Sequence, residues 1–476
     1  MSFFHAISFS FFSKESSIPP HSSGERRQWF GECRFFRILL QTLLTISILF
    51  DGILRPDSIA RASEAKLSGE PFLQETDLPV LTIDQAVGEA LGKNPALARE
   101  RARMARKKTL AIQAGELPDP KLVLGEQYFP ISLNMGQSLL AMTTVGLRQS
   151  FSPWGKKALL RQGFLREKTA SGWMLEDRKL RLVRDLRLTW MDLYRATRTE
   201  TLLRSIALLW QKAFQSALAR YRQGTGSESD LLFAQFQKDH LKDKEEALQV
   251  KKEENLHHLM SLMHRSQAFR IASEEPTFPI PLPESMLLAR INRHPALRSS
   301  ADKNAAQALR VRAARKEKIP AISVEGDYSY FMGPSLITAT PNLFSVLLTM
   351  NLPVRPGQRQ DQKVREEEAI LESFESRREE LRKKLAEEIR DSESSYLHLS
   401  HRELFFDHLL LPEARRNVEA ALNDYSTGTV HMGRVLESMK KVEDAELQDL
   451  DIRVKKMKEM ARLDYFRGRL QGGSNE

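Results

Sequence analysis

The chain reads as mostly α with a small β part, duplicated internally, and three features lead there. Landmarks recur in the same order about 200 residues apart: Asn94-Pro95-Ala96-Leu97 returns as His294-Pro295-Ala296-Leu297, and Leu117-Pro118 as Ile319-Pro320. Tyr221-Arg-Gln-Gly224-Thr225 likewise returns as Tyr425-Ser-Thr-Gly428-Thr429. A period this long exceeds any solenoid unit and marks duplication of a half-domain. The composition, 28% charged and 8% aromatic with long runs of Ala, Leu, Glu, Lys and Arg, favours long helices. Finally, four segments of about ten residues have strand character, the length that crosses an outer membrane at a tilt.

The elements follow in order. Arg26, Arg27, Arg34 and Arg37 precede an apolar run from Ile38 to Leu54, and Ala60-Arg61-Ala62 offers a small-x-small cleavage site. That is the layout of a secretory signal peptide, so residues 1–62 are expected to be an N-terminal extension and signal, followed by a polar leader over 63–80. The only cysteine, Cys33, would leave with the signal. The exported chain then has no disulfide and no thiolate ligand or nucleophile.

A first repeat is expected over 81–272. It opens with a helix capped by Thr82, with Gln85 three residues on, punctuated at Asn94-Pro95 and stopped by Leu117-Pro-Asp-Pro120. A strand pair over 122–151 comes next, then a long helix pair over 154–264. In the first long helix, apolar residues fall at 175, 182, 186, 190, 193, 203, 206, 210 and 214, the steps of a coiled-coil seam. A Pro- and Glu-rich linker spans 273–283.

The second repeat, 284–470, has the same plan. A helix runs to Lys318, a strand pair covers 322–354, and a long helix pair covers 357–467, ahead of a disordered tail at 471–476. In its first strand Val324, Gly326, Tyr328 and Tyr330 alternate with Ser323, Glu325, Asp327 and Ser329, one greasy and one polar face. The 122–132 segment alternates only loosely. Four strands cannot close a useful barrel, so spanning a membrane requires other copies.

Charge and motif content exclude several classes. The formal net charge is +10, yet both signs alternate in stretches such as Arg382-Lys-Lys-Leu-Ala-Glu-Glu388, a solvated helix face and not a nucleic-acid patch. No Gly-rich phosphate loop, nucleophile elbow or His-Glu zinc motif is present, so no enzyme activity and no cofactor is expected. A non-channel coiled-coil envelope scaffold is the plain alternative; duplicated strand pairs speak against it.

Several ordered segments carry a family resemblance. They are Leu81-Thr-Ile-Asp-Gln-Ala-Val87 with Asn94-Pro95, Gln113-Ala-Gly-Glu-Leu-Pro-Asp-Pro-Lys-Leu122, Arg148-Gln-Ser-Phe-Ser-Pro-Trp-Gly-Lys156 and the two Tyr-x-x-Gly-Thr turns. From Leu81 to Leu470 the chain resembles the TolC-like outer-membrane efflux proteins, and its Leu-Pro-Asp-Pro and Pro-Trp-Gly-Lys segments look most like the heavy-metal and cation efflux branch. The resemblance implies a homotrimer in the bacterial outer membrane whose copies pool four strands each into a twelve-stranded barrel. A helical α-barrel would continue it into the periplasm and meet an adaptor protein and a proton-driven inner-membrane pump. The exit duct of a type I protein-secretion system is the alternative within the family.

The resemblance also supplies candidate sites. Tyr221, Gly224, Thr225, Tyr425, Gly428 and Thr429 form the turns that would be the periplasmic tip. Asp230, with Arg434 and Glu437 in the second half, stands where the family narrows its channel. His257, His258, Met260, Met263 and His264 on one helix invite a metal reading, as do His398, His401 and His408. Met at helical spacing is ordinary packing, so no metal site is expected there.

Overall fold

The computed structural model describes residues 78–128, 141–272, 274–331, 342–427 and 429–468, all within one compact unit. The expected signal, the tail and Gly428 lie outside the described residues.

Two short helices begin each half. Helix α1 (Ile83–Lys93) starts at the expected capping box: the Thr82 hydroxyl accepts from the Gln85 N–H at 3.4 Å, and the Gln85 side chain returns the bond at 3.0 Å. Asn94 then caps α2 (Pro95–Gly115), with proline at the first helical position where its missing N–H costs nothing. In the second half α5 (Glu284–Arg290) and α6 (Pro295–Arg315) take these places. The single helix expected to Lys318 is therefore broken: a 3₁₀ turn at Ile291–Arg293 precedes His294, which must be extended ahead of Pro295.

Four strands form one antiparallel sheet in the order β2-β3-β5-β6: β2 (Lys121–Gln127), β3 (Met142–Phe151), β5 (Ile322–Phe331) and β6 (Leu343–Met350). The last pairing of β2 is Gln127 with Met142, and Tyr128 has left extended geometry for a positive φ of 54°. The segment beyond it, expected as strand to residue 132, lies outside the described residues. A further parallel pair, β1 (Val80–Leu81) with β4 (Arg270–Ile271), ties the start of the body to the chain leaving the first long helix pair; the sequence reading placed Val80 in the polar leader.

The long helices are α3 (Lys156–Arg222), α4 (Glu228–Met263), α7 (Gln360–Phe405), α8 (Leu411–Ser426) and α9 (Met432–Phe466). The 67 residues of α3 span about 100 Å. Its counterpart is interrupted by a π-helical turn at Phe406–Leu410, immediately before Pro412, whose ring cannot fit an uninterrupted α-helix. Near the sheet, α2, α3, α6 and α7 pack side by side, and further away α3 lies between α4 and α9. Each strand continues one helix of that row, through hinges at 116–120, 152–155, 316–321 and 351–359.

The core runs along α3. Leu175, Leu182, Leu186, Trp190 and Leu193 join Leu259, Met263 and Val454 in one cluster, while Leu203, Ile206 and Trp210 join Ala234, Val435 and Leu436 in another. Burying each large apolar side chain stabilises the fold by about 1.5–3 kcal/mol. Into this core the chain also buries Glu443, 1% exposed. Its carboxylate accepts from Lys244 at 2.7 Å, Lys440 at 2.9 Å and the Trp210 indole at 3.3 Å.

Candidate functional site: a two-faced sheet and two helix reversals

The pleat sorts the strands into opposite faces, because successive side chains alternate. One face carries Leu122, Leu124, Val145, Leu147, Val324, Tyr328, Tyr330, Phe344, Val346 and Leu348, all exposed, Phe344 and Val346 by 73% and 67%. Aromatic residues sit towards both ends of it: Tyr128, Tyr328, Tyr330 and Phe344 at one, Phe151 and the almost fully exposed Trp154 at the other. Water offers no reason to display such a strip. It matches the apolar band and aromatic girdles of a membrane barrel.

The other face is polar along the seam between β3 and β5, where its side chains close on one another, with Val123, Leu343 and Leu347 towards the edges. Thr144 and Ser329 share a hydrogen bond of 2.9 Å, Ser150 and Ser323 one of 3.1 Å, and Arg148 pairs with Glu325. Between them the Asp327 carboxylate lies over Gly146, with Oδ1 only 1.8 Å from where a Cβ there would stand. Only glycine leaves that space, a requirement invisible in the sequence.

Both edges of the sheet, β2 and β6, have no partner strand among the described residues. Among those residues, too, no helix is long and apolar enough to cross a membrane.

Far from the sheet the helices reverse twice. At the first reversal Gly224 has φ +73°, a left-handed conformation costly for other residues. The N–H groups of Thr225 and Gly226 close back on the Arg220 carbonyl at 3.0 and 3.1 Å, and Ser227 caps α4 through the Ser229 N–H. The Thr225 hydroxyl also donates to the Arg220 carbonyl, at 3.3 Å. The second reversal repeats this contact: the Thr429 N–H and hydroxyl reach the Asp424 carbonyl at 3.0 and 2.7 Å. Threonine therefore follows the glycine position in both turns because it satisfies a helix-end carbonyl five residues back.

The structure brings the two turns together. The Arg220 guanidinium stacks over the Tyr425 ring at 3.9 Å, a cation–π contact worth about 0.5–2 kcal/mol. Tyr425 is packed into the core at 9% exposure, whereas Tyr221 is 44% exposed on the surface, so the matched tyrosines do different work.

Asp230 sits in the first turn of α4 with Oδ1 3.1 Å from where a Cβ on Gly433 would stand, so Gly433, at the start of α9, makes room for it. No ion pair to Asp230 occurs among the described residues. Arg434 and Glu437 face solvent and pair with each other at 3.4 Å, and Glu437 also pairs with Lys441 at 2.8 Å. The Lys441 hydrogen bond, assisted by the Lys441 and Arg434 charges, holds the Glu437 carboxyl below the ordinary glutamate range. Sequence reasoning found Asp230, Arg434 and Glu437 but not Gly433 or Arg220, whose roles arise only from contacts between helices about 200 residues apart.

The histidine and methionine run divides between core and surface. Met263 is fully buried in the core and Met260 packs against it, while His257 and His258 are exposed and His264 ends α4 in a left-handed conformation. Among the described residues no three His, Cys, Asp or Glu side chains gather as a metal site would require.

No known family profile and no characterised relative matches this chain by sequence. Solved structures do match its fold. A membrane protein from Pseudomonas aeruginosa aligns with a TM-score of 0.72 at 19% identity, over 84% of this chain and 93% of that one. The outer membrane protein VceC of Vibrio cholerae gives 0.68 at 17% identity, over 81% and 96%. The Neisseria gonorrhoeae outer membrane channel MtrE, solved in its open state, gives 0.68 at 14%, over 81% and 88%. The chain has the TolC-like channel fold.

Proposed function

We propose that this chain is the outer-membrane exit duct of a tripartite efflux system. Three copies pool their strands into a twelve-stranded barrel, and their helices form a tunnel extending into the periplasm. The single observation that carries this reading is the sheet: exposed and apolar on one face, hydrogen-bonded and polar along the central seam of the other, without a partner strand at either edge among the described residues, and continued strand by strand into helices. A barrel in lipid needs such a face outward, and it needs closure, because unpaired backbone groups at an edge are not tolerated there. The helix reversals supply the tip at which a periplasmic adaptor docks, and a proton-driven inner-membrane pump supplies the energy. The chain itself conducts passively. Its cargo on this reading is heavy-metal cations or toxic small molecules.

Fractionation with chemical crosslinking tests the reading. The protein is expected in the outer membrane as trimers that survive mild detergent; a soluble periplasmic monomer would overturn it.

On this reading Asp230 sets the constriction, since among the described residues no cation pairs with it whereas Glu437 has two. Three copies around an axis concentrate negative charge where ions must pass. Asp230→Ala should therefore weaken block by multivalent cations in planar-bilayer recordings, and the difference should shrink at high salt as screening sets in. Block unchanged at low salt would leave Asp230 as a helix-end charge only.

A further inference from the structure

The hinges between helices and strands are tied to each other in a row, by side chains at the heads and feet of the helices. Lys157, near the head of α3, donates to the Glu116 carbonyl at the foot of α2, at 2.6 Å. Lys156, at the head of α3, pairs with Glu317 at the foot of α6 at 2.8 Å. Lys318 at that same foot pairs with Asp361 in the first turn of α7. Three neighbouring hinge pairs thus have three links.

At both ends of the row charges remain without an ion pair among the described residues, acidic Glu116 and Asp119 at one and basic Arg355 and Arg359 at the other. Arg359 stands at the head of α7 as Lys156 stands at the head of α3, and both line one open cleft of about 970 Å³. Glu116 stands at the foot of α2 as Glu317 stands at the foot of α6. Neither the Arg359 guanidinium nor the Glu116 carboxylate has an ion pair among the described residues. They occupy opposite edges of the layer, below β6 and β2, the two strands without an outer neighbour.

We infer that Arg359 of one copy pairs with Glu116 of the next, closing the row of hinge links into a ring around the assembly. The inference rests on the oligomeric barrel proposed above. Strand direction then fixes the rest. Directions alternate across the sheet, so β2 and β6 run opposite ways and can meet edge to edge as an antiparallel pair between copies. The residues just before β2 are then carried beside those just after β6, which places a foot carrying Glu116 against a head carrying Arg359. The link between copies repeats the chemistry of Lys156 with Glu317 within a copy.

Two measurements on the full-length protein test it. In a Cys33→Ser background, Glu116→Cys with Arg359→Cys should give disulfide-linked trimers on non-reducing gels that revert to monomers on reduction. Separately, Glu116→Arg and Arg359→Glu should each lower the temperature at which trimers dissociate, and the two together should recover at least half of the loss. Trimers that form normally but show no such crosslink, or only one within a single copy, or additive losses in the double reversal, would overturn the inference and leave the exit-duct reading standing. A parent protein that is monomeric throughout would overturn both.

Discussion

Replacing Val346 by arginine should abolish assembled outer-membrane protein while leaving synthesis intact. Val346 lies opposite Gly326, near the middle of the sheet, on the apolar face and between the exposed Phe344 and Leu348. An arginine at the bilayer midplane of a barrel costs about 2–4 kcal/mol, and a trimer would carry three of them. Ser345→Arg, one residue away, is the control. It points to the polar face opposite Asp327, where a positive charge meets a carboxylate. Heat-modifiable trimer in outer-membrane fractions is the readout: absent for Val346→Arg and near parental for Ser345→Arg. Equal yields from the two variants would mean that neither face meets lipid.

The second large effect is expected at Glu443→Ala. Burial alone would raise the Glu443 pKa, but hydrogen bonds from Lys244 and Lys440 more than reverse that and hold the carboxyl below the usual glutamate value of 4.5. Removing it leaves Lys244 and the buried Trp210 indole without their acceptor, while Lys440 keeps Asp444 at 2.9 Å, and leaving a buried donor unsatisfied costs about 1–3 kcal/mol. Glu443→Gln keeps an acceptor and should cost less. The sign of the pH dependence follows from the depressed value: the carboxylate stabilises the fold above pH about 4.5 and loses that contribution as pH falls through the folded pKa. Thermal melts of detergent-solubilised protein should show a parental acid loss below that pH which the glutamine variant lacks.

Local rules made much of this architecture legible in the sequence. The seam positions in α3 follow from helical periodicity, and they are buried core residues except Phe214, at the end of the series, which is only partly buried. Strand β5 carries its period-two pattern openly, whereas the first strand pair alternates only weakly. The breaks were harder to see. Asn94-Pro95 punctuates its helix openly, but the same physics at His294-Pro295 and near Pro412 is masked by helix-forming residues on both sides. At the two helix reversals, sequence pointed to the turns and to their charged neighbours. It could not reveal that Arg220 reaches Tyr425, that Gly433 shelters Asp230, or that Gly146 yields its space to Asp327. Each depends on which distant backbone comes near, information that one strand or helix does not contain.

The bare edges of β2 and β6 also bear on how the molecule comes to be. A lone copy presents two rows of unsatisfied backbone donors and acceptors beside a broad greasy surface, the combination that recruits any available strand. Such a species is short-lived: it meets its own kind in the correct order or joins an aggregate. On the oligomeric barrel proposed above, closure needs several copies at once, so its rate rises more steeply with copy number than that of a single encounter. Scarce synthesis therefore prolongs the vulnerable stage, and abundant synthesis crowds unfinished edges together. Yield of the finished assembly should thus peak at an intermediate level of expression.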